Sequence, residues 1–164
     1  MKIYMGPYPD EGEREIKVEL DPYDTWSLDH TLALIIHPLL VQLKETNHGC
    51  PYTDDEDVPE NLLSTAAAPK ENEWDTDNLH EARWDWIMAE MIWAFEQNTF
   101  DDEDLFHHNT DNLSMKMDGG KLVFGKEDPS KPAHYFDSAA YAVHQARKQN
   151  GRRLFAKYYE ALWD

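Results

Sequence analysis

The stretch RWDWIMAEMIWAFEQ, from Arg83 to Gln97, constrains the fold more than any other part of this chain. It holds three tryptophans, two methionines and a phenylalanine, together with Arg83, Asp85, Glu90 and Glu96. The pattern predicts a helix from about Asp77 to Gln97. At 100° per residue, Trp84, Ile87, Met88, Met91 and Phe95 share one flank, and Leu79, Ala82, Trp86, Ala89 and Trp93 share the other. Arg83 and Glu90 fall between the flanks, with Glu81, Asp85 and Glu96 roughly opposite. A helix apolar on two flanks has to be sandwiched between other elements. One polar stripe then faces water and the other is at least partly buried.

Neighbouring segments supply the sandwich. SLDHTLALIIHPLLVQLKET predicts a second long helix, with Leu28, Leu32, Ile35, Ile36, Leu39 and Leu43 as its apolar face and a kink at Pro38. Its stop is expected at Gly49, with Pro51 just beyond. A C-terminal helix is expected from about Tyr135 to Trp163, with Leu154, Phe155, Tyr158 and Leu162 as its stripe. Asn150-Gly151 is either a break in it or a tolerated glycine. KIYMGPYP and REIKVEL predict two short strands, and SMKMDGGKLVFGK a hairpin turning at Asp118-Gly119-Gly120. Residues 50–76 predict an irregular acidic connection with one short helix near Pro59–Leu63. The expected fold class is α+β and mainly α-helical, with two long central helices, a long C-terminal helix and small antiparallel strand pairs. The chain length suits a single domain, residues 1–164.

Charge narrows the function. The net charge of −18 argues against direct binding to nucleic acid or anionic membrane, because phosphate attraction needs a cationic surface. No apolar run is long enough to span a bilayer. Residues 144–164 hold five basic and two acidic side chains, a net of +3, against ten basic and thirty-one acidic in the first 143, a net of −21. Either a basic C-terminal helix docks on an acidic body, or its cations form a notch for a phosphate or carboxylate ligand.

No G-x-G-x-x-G, phosphate-binding loop, G-x-S-x-G or H-E-x-x-H motif is present. His30, His37 and Lys44 recur every seven residues, about 10 Å apart along a helix, too far to share a metal. The His107-His108 pair with Asp111 is a weak ligand set, and Glu81, Asp85, Glu90 and Glu96 diverge around their helix. Cys50 is a lone cysteine with nothing local to activate it. No metal or cofactor is implied. Two DDED runs, Asp54–Asp57 and Asp101–Asp104, read as solvated surface or as mimicry of a nucleic-acid backbone, the latter weakened by their expected place in loops. Arg83 and Glu90 read as a buried Arg–carboxylate pair that is structural or holds a ligand.

The segments MKIYMGPY, DPYDTWSLDHTLALIIHPLLVQLKETNHG, DVPENLLSTAA, RWDWIMAEMIWAFEQ and GRRLFAKYYEALWD together resemble a family of small acidic proteins encoded widely in tailed-bacteriophage genomes. The resemblance spans most of the chain and implies a setting, the host cytoplasm during infection, rather than an activity. Phage accessory proteins commonly counteract host defence. The leading expectation is therefore a non-enzymatic protein binding a small anionic, nucleotide-like signal. Trp26, Trp84 or Tyr158 would stack on a base, Arg83, Arg153 and Lys157 would pair with phosphate, and His37 or Lys44 would assist. The alternatives are an acidic nucleic-acid mimic that occludes a host protein, and a metal-dependent hydrolase. The sequence leaves a homo-oligomer open.

Overall fold

A computed structural model of the chain describes residues 1–112, 115–125 and 128–163. Its order begins with strands β1 (Lys2–Met5) and β2 (Ile16–Glu19), then helix α1 (Leu28–Thr46). Helix α2 (His80–Glu96) follows, then strands β3 (His107–His108), β4 (Met115–Asp118), β5 (Lys121–Phe124) and β6 (Tyr135–Phe136), and helix α3 (Ser138–Lys157). The strands pair antiparallel as β1 with β2, β3 with β6 and β4 with β5. The fold is α+β and mainly helical.

Helix α2 is central, packed between α1 and α3. Its Trp84, Ile87, Met88, Met91 and Phe95 flank is buried with Ala33 and Leu40 of α1, Leu154 of α3 and Tyr158, the C-cap of α3. Burying such side chains contributes about 1.5–3 kcal/mol each. The other flank is thinner: Ala82, Trp86 and Trp93 are half-buried and Ala89 is exposed. Arg83 and Glu90 are both buried.

Three expectations need correction. The apolar face of α1 is packed only in part: Ile36 and Leu43 lie against the core, Leu28, Leu32 and Leu39 are exposed, and the buried residues of the helix are Ala33 and Leu40. The stripe carrying His30, His37 and Lys44 lies next to that buried line and meets α2. Helix α1, with Pro38 inside it, ends at its C-cap Asn47 rather than at Gly49. The C-terminal helix starts at Ser138, since Tyr135 and Phe136 form β6, and Asp137 caps it by accepting from the Ala140 amide.

Gly151 does not break α3. A Cβ built there would lie 2.4 Å from the Ala94 Cβ and 2.5 Å from the Glu90 carbonyl oxygen. The missing side chain is what lets α3 approach α2. Gly119 and Gly120, both at positive φ, make the two-residue turn of the β4–β5 hairpin; Ser114 and Lys126 of the expected hairpin lie outside the described residues. In the 50–76 connection, short 3-10 helices occupy Asp55–Asp57, Glu60–Leu62 and Ser64–Ala66.

Candidate functional site

The basic side of α3 meets acids of the body at three stations, each with a buried carboxylate. At the first, Arg147 grips Glu90 through Nε and Nη2, at 3.0 and 2.7 Å, and stacks over Trp93 at 3.9 Å. That hydrogen bonding raises the Arg147 pKa against the opposing effect of burial. At the second, Asp102 accepts from Lys148 Nζ at 2.5 Å and pairs with His144 Nε2 at 2.9 Å. At the third, Asp57 accepts from Arg153 at 2.6 Å and from the Tyr158 hydroxyl at 2.7 Å, with Lys157 Nζ at 2.6 Å. Burial pushes the Asp57 and Asp102 carboxyls up, but these donors outweigh it and hold both below the ordinary carboxylate range. Burial first, and then the Asp57 charge against the donation from the Asp54 amide, pushes Tyr158 up to about 12.

These contacts place the expected site residues. Arg153, Lys157 and Tyr158 do come together, around Asp57. Arg83 does not pair with Glu90: it donates through Nε to the Leu62 carbonyl and through Nη1 to Asp77 at 3.0 Å, while Glu90 pairs with Arg147. The Arg83 Nη2 is buried without a partner. Trp84 is core and meets Tyr158 edge-on, whereas Trp26 is 86% exposed. Lys44 donates to the Asp85 carbonyl of α2, and His37 is half-buried on the same side of α1.

The metal candidates separate in the same way. His107 and His134 share a hydrogen bond at 3.0 Å, His108 stacks on Tyr135, and Asp111 pairs with Lys131. Among the described residues, the three potential ligands that converge are Asp54, Glu56 and Asp57. The Lys157 ammonium sits among them, 2.7, 3.0 and 2.6 Å away. That neighbourhood raises the Lys157 pKa strongly. Burial raises the pKa of the Cys50 thiol, and the charges of Glu81 and Asp85 add to it, which disfavours the nucleophilic thiolate.

A polar pocket of about 490 Å³ opens where α1 begins and α2 ends. Ser27 precedes α1 as its N-cap, but its side chain makes no capping bond. The first α1 amide bonded within the helix is that of Thr31, to the Ser27 carbonyl, so the Leu28, Asp29 and His30 amides have no helical partner. His30 Nδ1 lies 2.9 Å from the Asn98 carbonyl. A carbonyl only accepts, so Nδ1 carries the proton and a neutral ring offers Nε2 as an acceptor. Gln97 is 8% exposed and lines the pocket. Lys148, already bound to Asp102, lines it too, with Phe100, Asp29 and Asp101.

Helix-start amides, an ammonium and a carboxamide suit one anionic group. The carboxylates of Asp29 and Asp101 suit hydroxyl or amino donors and oppose a highly charged ligand. Sequence reasoning missed Gln97, Ser27 and Lys148 as site residues. Ser27 immediately before the apolar run of α1 was the available signal. Nothing in the pattern marked Gln97 as a buried pocket residue.

No protein-family model matches this chain, and neither a curated protein nor a solved structure matches it.

Proposed function

We propose that this chain is a phage-type accessory protein that binds a small nucleotide-like ligand without turning it over, counteracting a host defence signal in the host cytoplasm. The observation that carries this reading is a polar pocket of about 490 Å³ at an uncapped helix start, lined by the largely buried Gln97 and Lys148. A single phosphate sits against the α1 amides and Lys148. Sugar hydroxyls or a base amino group reach Asp29 and Asp101, and the base lies on Phe100, with Trp26 beside Ser27 in the chain as a second exposed ring. Aromatic stacking adds about 1–3 kcal/mol per base. Arg83, Arg153 and Lys157 take no direct part, because a ligand phosphate would have to displace Asp77 or Asp57 from them.

Calorimetry with nucleoside monophosphates and cyclic dinucleotides tests this. The expected result is saturable binding that Gln97→Leu weakens about tenfold, the equivalent of about one buried hydrogen bond. No heat from any of them, or equal affinity in the variant, removes the reading.

The acidic-mimic reading is favoured by a different observation. Both DDED runs lie on short 3-10 helices rather than open loops, each anchored by one buried aspartate, Asp57 or Asp102. Asp101, Glu103 and Asp104 are thereby displayed from a held element, which backbone mimicry requires. Competition between this protein and duplex DNA for a basic host protein, steeply weakened by salt, is the expected signature. A complex indifferent to salt counts against it.

A further inference from the structure

We infer that β3 and β6 form an acid-sensitive clasp, in which the His107–His134 pair closes the neck of the β4–β5 hairpin only while one of the two rings is neutral. Nδ1 of His107 and Nε2 of His134 lie 3.0 Å apart, with 16° between the ring planes and 5.2 Å between the ring centres. The centres are further apart than the nitrogens by nearly two ring radii. The rings therefore lie end to end, nitrogen facing nitrogen, and one nitrogen donates while the other accepts. A metal shared by both would need about 2 Å to each nitrogen, more than head-on nitrogens at this spacing allow.

The bond depends on how many protons the pair carries. With both rings neutral it is an ordinary N–H···N bond. One added proton makes it charge-assisted and roughly twice as strong. A second proton leaves two donors and two positive charges face to face, and the bond is lost. Histidine changes charge between about pH 5 and 8, and two coupled rings take up their protons in two steps. The second step opens the clasp. Among the described residues, neither ring is paired with a carboxylate that would offset the second charge. In the 3-10 helix before β3, Asp102 is held by Lys148 and His144, and Glu103 and Asp104 are exposed. Asp111, after β3, pairs with Lys131. From β6 the Phe136 ring lies against His107, and Tyr135 against His108. From α3, Tyr141 reaches Phe106 and Phe136, and His144 reaches Phe106.

The surroundings confine the opening to the neck. The ladder has two residue pairs, His107 with Phe136 and His108 with Tyr135, extended by the Asp137 amide bonded to the Phe106 carbonyl at 2.9 Å. So short a pairing has little hold of its own. On the hairpin side, Asn109 donates to the Ala133 carbonyl and Asn112 to that of Pro132, bonds that do not titrate. The helical body keeps its buried carboxylates ionised down to about pH 4.

Hydrogen exchange followed by NMR between about pH 7.5 and pH 5 tests this, each amide's rate being divided by its unstructured rate at that pH. The expected result is about a tenfold loss of protection at the Asp137 amide, the equivalent of one hydrogen bond, with the Ile87 and Met91 amides of α2 unchanged. His134→Gln keeps an acceptor for the His107 Nδ1 proton and does not titrate, so its Asp137 amide should hold its protection throughout. Imidazole nitrogen signals of wild-type His107 and His134 should move together in two steps. Protection at Asp137 that is flat in the wild type, or that falls equally in His134→Gln, overturns the inference. So do two rings that titrate independently. If His134→Gln unfolds early, the wild-type imidazole titration decides alone.

Discussion

Helix α2 is held on its two sides by different means. Against α3 it has a close backbone approach at Gly151 and, at Glu90, the first of three ion-paired stations. Against α1 it has two buried side chains, Ala33 and Leu40, and polar contacts that end on backbone carbonyls, Lys44 to Asp85 and His30 to Asn98. The charged side is unforgiving, since a buried carboxylate stripped of its partner is costly. The α1 side tolerates change, because a carbonyl that loses a side-chain donor keeps its helical one or finds water. An acidic chain with few cations thus concentrates them where burial makes each one matter.

Gly151→Leu is the strongest way to break the contrast. Its side chain meets the Ala94 Cβ and Glu90 backbone at distances no rotamer relieves, so α3 cannot dock. The expected outcome is loss of cooperative unfolding in urea. Gly151→Ala should still cost at least the ~1–3 kcal/mol of an overpacked contact. Next comes Asp102→Ala, which leaves Lys148 buried and unpaired and should cost about 3–5 kcal/mol by denaturant unfolding. Asp57→Asn should cost less, about 2–3 kcal/mol, because Arg153 and Lys157 are partly solvated and a carboxamide still accepts from Tyr158.

Acid sharpens the same contrast without mutation. Asp57 and Asp102 have folded pKa values lowered below the unfolded ones. Their stabilisation is therefore complete above the unfolded carboxylate value, about 3.9, and is lost as pH falls through the folded values. Thermal midpoints measured from neutral pH down to pH 2 should drop below about pH 4. The drop should be shallower in Asp57→Asn, which has lost one of the titrating groups. At the alkaline end Tyr158 acts with the opposite sign. Its folded value is raised to about 12, so the neutral phenol's contribution is whole below about pH 10 and fades as pH rises through 12.

How much of this was legible follows from what periodicity encodes. The two apolar flanks of α2 dictated a sandwiched helix, and the Arg83–Glu90 stripe is buried as the wheel required. Periodicity finds an apolar face but does not say how much of it the same chain covers, and on α1 that distinction split the face, with Ile36 and Leu43 against the core and three leucines outside it. Leu28, Leu32 and Leu39 look like core and lie in water, while His30 and Lys44 look like surface and reach α2. Partner choice was equally hidden. Arg83 and Glu90 share a stripe two turns apart, yet each is closer to an ion from elsewhere, Asp77 and Arg147. The basic C-terminal segment docking on an acidic body was visible in charge counts, since summed charge survives ignorance of the fold. Gln97 was not, because burial beside a pocket depends on packing and not on residue type.

The smallest effect belongs to the α1 side and is the most discriminating about mechanism. Lys44 is the only lysine or arginine on α1, and it donates to the Asp85 carbonyl at 3.1 Å in a solvent-exposed setting. Lys44→Met keeps most of the aliphatic stem that lies along α2 and removes only the ammonium. The Asp85 carbonyl stays in its helical bond, so the expected cost is under about 0.5 kcal/mol, within the range of ordinary surface substitutions. A loss matching Asp57→Asn would mean that Lys44 also holds a charge on α2, with Asp85 itself the candidate, and that both sides of α2 depend on ion pairing. Unfolding curves for Lys44→Met in low and high salt separate these outcomes: a carbonyl contact gives a small difference insensitive to salt, and an ion pair gives one that shrinks as salt rises.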